Sequence, residues 1–133
     1  MNLRTGVDLI EINRLEAIST TIRQRFLKRV FTPRELQEAA ESNPSLAGKF
    51  AAKEAVSKAL GCGIGMVSWQ EIEILRGPQG QPELFLHGKA EALALQQGLT
   101  VWSVSISHNY SHAVAVAAAL APAGSPEEGS APP

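Results

Sequence analysis

Lys49, Lys53 and Lys58 recur at near-helical spacing through residues 49–60, Glu54 stands among them, and Gly61, Gly63 and Gly65 follow at alternate positions. Lysine charge answers phosphate, and glycines let backbone N–H groups approach a bulky anion. A lone carboxylate among lysines is what a divalent cation needs. The combination points to a phosphate-rich ligand. At 100° per residue Ala51, Ala52, Ala55, Val56, Ala59 and Leu60 share one apolar face, opposite Lys49, Lys53, Glu54, Ser57 and Lys58. The plainer alternative is a solvated face laced by ion pairs. Phe50 falls inside the polar arc, which suggests that this side meets a ligand or another subunit.

A second carboxylate, Asp8, lies within the otherwise apolar Gly6-Val7-Asp8-Leu9-Ile10. Burying its charge there costs several kcal/mol unless it is paired or bound to a cation. Magnesium takes one or two protein carboxylates and completes its octahedron with water and phosphate oxygens, so Asp8 and Glu54 could meet on one ion. Alternatively Asp8 caps the helix that follows.

These residues need elements to carry them. The period predicts a strand near Gly6 to Ile10 and a helix from about Ile12, on Ile12, Leu15, Ile18 and Ile22. Thr32-Pro33-Arg34-Glu35 reads as a capping box with proline in the first turn, opening a helix to about Glu41. Asn43-Pro44-Ser45 starts the lysine helix and Gly61 stops it. Trp69 to Leu75 alternates as a strand with Glu71 and Glu73 on its outer side, and the turn at 77–82 returns it as Glu83 to Leu86. A helix over Gly88 to Gln97 and strands over Val101 to His108 and Ala113 to Leu120 complete the pattern. From Ala121 onward Pro, Gly, Ser, Ala and Glu dominate, so residues 121–133 read as a disordered, passive tail behind a domain of residues 1–120. The expected class is α+β, with helices of the first half packed on an antiparallel sheet.

The 133 residues, 44% hydrophobic and 19% charged, suffice for one core. A single cysteine, Cys62, excludes an internal disulfide and fits a reducing compartment. No apolar run reaches the ~18 residues of a membrane span and no signal-like N-terminus stands out, so a cytoplasmic protein is expected. Net charge is −1, unevenly placed: residues 1–34 hold seven Arg or Lys against Asp8, Glu11 and Glu16, roughly +4, leaving roughly −5. The basic segment is either an ordinary amphipathic surface or a dock for an acidic partner. Sparse aromatics argue against nucleic acid.

Taken together, Gly6 to Glu11, Phe50 to Gly61, Trp69 to Ile74, Gly80-Gln81-Pro82 and Ser105-Ile106-Ser107-His108 resemble, in order and spacing, the holo-acyl-carrier-protein synthases, the short 4'-phosphopantetheinyl transferases, over about residues 3 to 118. The resemblance implies their fold and the transfer of the 4'-phosphopantetheine arm from coenzyme A to a serine of apo acyl carrier protein, for fatty acid biosynthesis. Adenosine 3',5'-bisphosphate leaves, and magnesium is required. By resemblance Asp8 and Glu54 hold the metal and Lys58 lies on the diphosphate. Lys49, Lys53, Gly61, Gly63, Gly65, Pro82, Ser107 and His108 surround the nucleotide end. The nucleophile is the partner's, and the base is either Glu54 through a water or His108. Resemblance also assigns the acidic carrier to Arg14, Arg25 and Phe26, with Arg23 and Lys28 in support, and implies a homotrimer with active sites between protomers. Lys49 stands where relatives often carry arginine. Two rival readings are a kinase-like phosphotransferase, which lacks a G-x-x-x-x-G-K-S/T loop, and a module that binds carrier protein without catalysis.

Overall fold

Alanine and glycine decide how this chain packs. In the computed structural model, which describes residues 1–123, strand β5 (His112–Ala121) lies between β1 (Asn2–Glu11) and β4 (Val101–His108) in an antiparallel sheet. The inner face of β5 is Ala113, Ala115, Ala117, Ala119 and Ala121, all buried. Against it lies helix α4 (Asn43–Leu60), whose Ala51, Ala52, Ala55 and Ala59 are equally buried. Small side chains on both surfaces let the backbones close up. At Gly6 there is no room at all: a Cβ would lie 1.9 Å from the Ala55 carbonyl oxygen.

Between β1 and α4 run three short helices, α1 (Asn13–Ala17), α2 (Thr20–Val30) and α3 (Pro33–Ala39). The single helix expected from Ile12 is broken at Ile18, whose backbone is extended, and Ser19 restarts it by accepting the Ile22 N–H at 3.3 Å. Ile12 and Leu15 are buried, but Ile22 is 55% exposed and takes no part in the core. The capping box at Thr32 and Glu35 forms as expected, and the helix it opens ends at Ala39.

The second half adds a smaller sheet, β2 (Ile72–Arg76) with β3 (Pro82–Leu86), then helix α5 (Gly88–Gln96) leading to β4. The class is α+β with antiparallel strands, in two sheets rather than one. The expected strand over Trp69 to Leu75 begins only at Ile72, because Trp69–Glu71 form a 3-10 turn. Its alternation fails at Glu73, which is buried and held by the Thr32 hydroxyl at 2.6 Å and His87 at 3.0 Å, with Arg34 at 3.7 Å. Those partners make a carboxylate tolerable where the pattern asked for solvent.

The free edge of β2 is closed by side chains. Lys53 donates to the Ile72 carbonyl at 2.6 Å and Lys49 to that of Ile74 at 2.8 Å; Glu35 accepts the Ile74 N–H and Glu38 the Arg76 N–H, each at 2.8 Å. Two lysines of α4 and two glutamates of α3 thus replace a neighbouring strand. Strand β5 runs to Ala121, one residue into the expected tail; residues 124–133 of that tail lie outside the described residues.

Candidate active site

The close approach at Gly6 brings two carboxylates within electrostatic reach of each other. Asp8, two residues along the same face of β1, sits opposite Ala115 of β5, and Glu54 is half-buried on the flank of α4. Burial lifts the Glu54 carboxyl above its ordinary pKa, the Asp8 charge lifts it further, and Lys58 opposes both. The Lys58 ammonium donates to the Val7 carbonyl at 2.9 Å and stands 3.4 Å from Asp8 Oδ1. Two acids and one tethered cation therefore form a centre at the edge of β1. Like charges held close want a cation between them. Among the described residues no three His, Cys, Asp or Glu side chains are arranged to hold a metal ion by themselves. An ion here would take the rest of its shell from water and ligand oxygens, which suits magnesium, and Asp8 and Glu54 fit that donor set.

The three lysines expected on one ligand face divide. Taking Ala55 as the direction of the sheet, Glu54 and Lys58 lie about 60–100° to one side of α4 and Lys49 and Lys53 about 120–160° to the other. Lys53 does not face a nucleotide: its side chain is fully buried, 2.8 Å from Glu35 Oε1, and it donates also to the Trp69 carbonyl. Lys49 is buried beside Glu38 at 2.6 Å but borders a groove of about 440 Å³. That groove brings Lys49 together with Ser45, Arg76, Gly80, Pro82 and His108. Arg76 and Ser45 were not picked out from the sequence. The one available signal was a charged residue closing β2 just before Gly77-Pro78.

His108 ends β4, level with Ala113 of β5 and Ile10 of β1. Two strand spacings, roughly 10 Å, separate its strand from the one carrying Asp8. Within one chain it therefore belongs to the groove and does not join Glu54. Ser107, the preceding residue, points to the opposite face of the sheet and is exposed.

Gly61 closes α4 in the left-handed region at φ 75°, its N–H bonding back to the Lys58 and Ser57 carbonyls, a position where glycine is the natural choice. Gly63 and Gly65 are exposed, and nothing stands within 4 Å of where a Cβ would be. Of the basic residues expected to dock a partner, Arg14, Arg25 and Lys28 are exposed. Arg23 is tied down, donating to Asn43 at 2.7 Å and 3.8 Å from Glu41, so it braces α2 against the start of α4. Phe26 packs edge-on to Phe31 and 5.4 Å from Phe50, which lies 5.0 Å from Trp69. This aromatic run accounts for Phe50 without a neighbouring subunit.

An acid pair with a tethered lysine on an α+β scaffold of this topology defines a class. The profile of the 4'-phosphopantetheinyl transferase superfamily matches residues 4–117, and the chain belongs to that family. A holo-acyl-carrier-protein synthase of Moorella thermoacetica is 50% identical over 118 residues, 86% of this chain and 91% of the relative. Two solved holo-acyl-carrier-protein synthases, each 33% identical, have similar folds. That of Neisseria meningitidis has a TM-score of 0.79 over 88% of this chain and 97% of its own. That of Helicobacter pylori, in complex with coenzyme A, has 0.78 over 87% and 99%. Within the superfamily the chain falls among the holo-acyl-carrier-protein synthases, and it is an enzyme.

Proposed function

We propose that this protein transfers the 4'-phosphopantetheine arm of coenzyme A to a serine hydroxyl of an apo acyl carrier protein, using magnesium held by Asp8 and Glu54. The observation that carries this reading is the acid pair with Lys58 tethered beside it. The serine Oγ–phosphorus bond forms, the bond from that phosphorus to the bridging oxygen breaks, and adenosine 3',5'-bisphosphate departs with the electron pair. When bound, magnesium would neutralise charge on the diphosphate. Lys58, already oriented by the Val7 carbonyl, meets the charge that develops on the leaving phosphate. The serine proton goes to Glu54 through a water, or to His108 of a neighbouring copy. The glycines at 61, 63 and 65 border the phosphates, while Pro82 and His108 line the groove for the nucleotide end. Intact-mass measurement of an apo carrier protein incubated with the enzyme, coenzyme A and magnesium tests this. A single phosphopantetheine increment is expected, and an unmodified carrier would refute it.

A homotrimer completing its sites between protomers fits the outer face of the main sheet. Leu3, Val7 and Leu9 of β1 are 53–64% exposed, beside Val116 at 45% and Val101 at 50%. A contiguous apolar face of this kind on a soluble domain marks an interface. Val7→Glu is expected to convert a trimer to monomers in analytical ultracentrifugation and to lower transfer at least tenfold; an unchanged sedimentation coefficient would remove the face from the interface.

An acidic carrier protein in the service of fatty acid synthesis would dock on exposed Arg14, Arg25 and Lys28, with Phe26 beside them and Arg23 bracing the helix. Reversing Arg14 to Glu should raise KM for the carrier about tenfold while KM for coenzyme A stays put. Equal changes in both would move the docking site elsewhere. The reaction belongs in the cytoplasm, and no helix among the described residues is long and apolar enough to cross a membrane.

A further inference from the structure

The cations around the groove differ in what already engages them. The Lys49 ammonium lies between Glu38 Oε1 and the Ile74 carbonyl, and its side chain is 5% exposed. Its charge has a carboxylate partner and its position is fixed. Arg76, on the same wall, is exposed; its charge acts on Glu38 more weakly than that of Lys49, and no carboxylate among the described residues lies within 4.0 Å of its guanidinium. Its guanidinium makes one long hydrogen bond, 3.3 Å, to Ser45 Oγ at the first turn of α4. Its backbone N–H is clamped by Glu38 Oε1 at 2.8 Å, so the root of the side chain is rigid while its fork is available. His108 and Pro82 line the same groove.

A planar fork with free N–H groups suits a phosphate monoester, which it can grip through two parallel hydrogen bonds; an ammonium already held by a carboxylate does not. Coenzyme A carries two kinds of phosphate. The diphosphate is claimed by the acid pair and Lys58 on the other flank of α4, which leaves the 3'-phosphate for the groove. We infer that Arg76 is the residue that reads the 3'-phosphate of the nucleotide, rather than Lys49, which the resemblance sets at the nucleotide end. This rests on the reading of coenzyme A as the donor.

Titration calorimetry with adenosine 3',5'-bisphosphate and with adenosine 5'-monophosphate separates the 3'-phosphate from the rest of the nucleotide. Arg76→Ala is expected to weaken the bisphosphate about tenfold to a hundredfold and the monophosphate less than about twofold, with Arg76→Lys recovering part of the loss. Thermal unfolding of both variants should match the parent, because the side chain is exposed. Equal weakening of the two nucleotides, or no weakening of either, overturns the inference. A parent enzyme that transfers the arm yet binds both nucleotides alike overturns it too, while leaving the transferase reading intact.

Discussion

Asp8→Asn and Glu54→Gln are each expected to lower phosphopantetheine transfer about a thousandfold or more while the protein stays folded. Charge stabilisation by a bound metal is worth several kcal/mol, and each ~1.4 kcal/mol is a factor of ten in rate. Removing either acid leaves an ion with a single protein ligand. The fold should not suffer, because Glu54 ionises at a cost: burial and the Asp8 charge both raise its pKa. The folded state then holds this proton more tightly than the unfolded chain. The metal-free fold therefore loses stability as pH rises from the ordinary glutamate range through the raised value, and it stays lower above it. At neutral pH without metal, Glu54→Gln should raise the thermal midpoint slightly. In the intact enzyme, lowering the pH protonates Glu54 earlier than an ordinary glutamate, so metal affinity should fall over a window reaching above the usual carboxylate range. A thermal midpoint that drops sharply in either variant would mean that the acids hold the fold and not an ion.

The second large effect concerns stability. Glu35→Ala should cost about 3–5 kcal/mol in urea denaturation, because it strands a fully buried lysine charge. Against a typical total of about 5–15 kcal/mol, such a loss brings the domain near unfolding. Burial also holds the Lys53 pKa down, with Glu35 opposing, so the stranded ammonium would shed its proton readily. Lys53→Met with Glu35→Leu removes both charges and should recover part of the loss but not all. The Ile72 carbonyl and the Ile74 N–H on the open edge of β2, and the Trp69 carbonyl in the turn before it, would still lack these partners. Full recovery would show that the edge needs no such closure.

These two groups differ in how far the sequence revealed them. Asp8 stood out because a charge inside Gly6-Val7-Asp8-Leu9-Ile10 is costly, and that cost is a property of the strand itself. The capping box at Thr32 and the glycine stop at Gly61 were equally local, and both formed. The fate of the lysines was not local. Helical projection places Lys49 and Lys53 on a polar arc, but what covers that arc depends on α3 and β2, elements outside α4 that only folding lays against it. The same holds for Glu73, whose partners Thr32 and His87 come from two other segments. Arg76 is illegible in the sequence for the complementary reason: at a strand end it is like any exposed arginine, and only the groove beside it distinguishes it.

The most direct test of the central claim is metal binding itself. Electron paramagnetic resonance titration with Mn(II), in the presence of coenzyme A, should find one tight site per chain that magnesium displaces and that Asp8→Asn and Glu54→Gln each abolish. Transfer should stop on chelation and resume when magnesium returns. Undiminished manganese binding in both variants, or transfer that continues at full rate in excess chelator, would contradict the account.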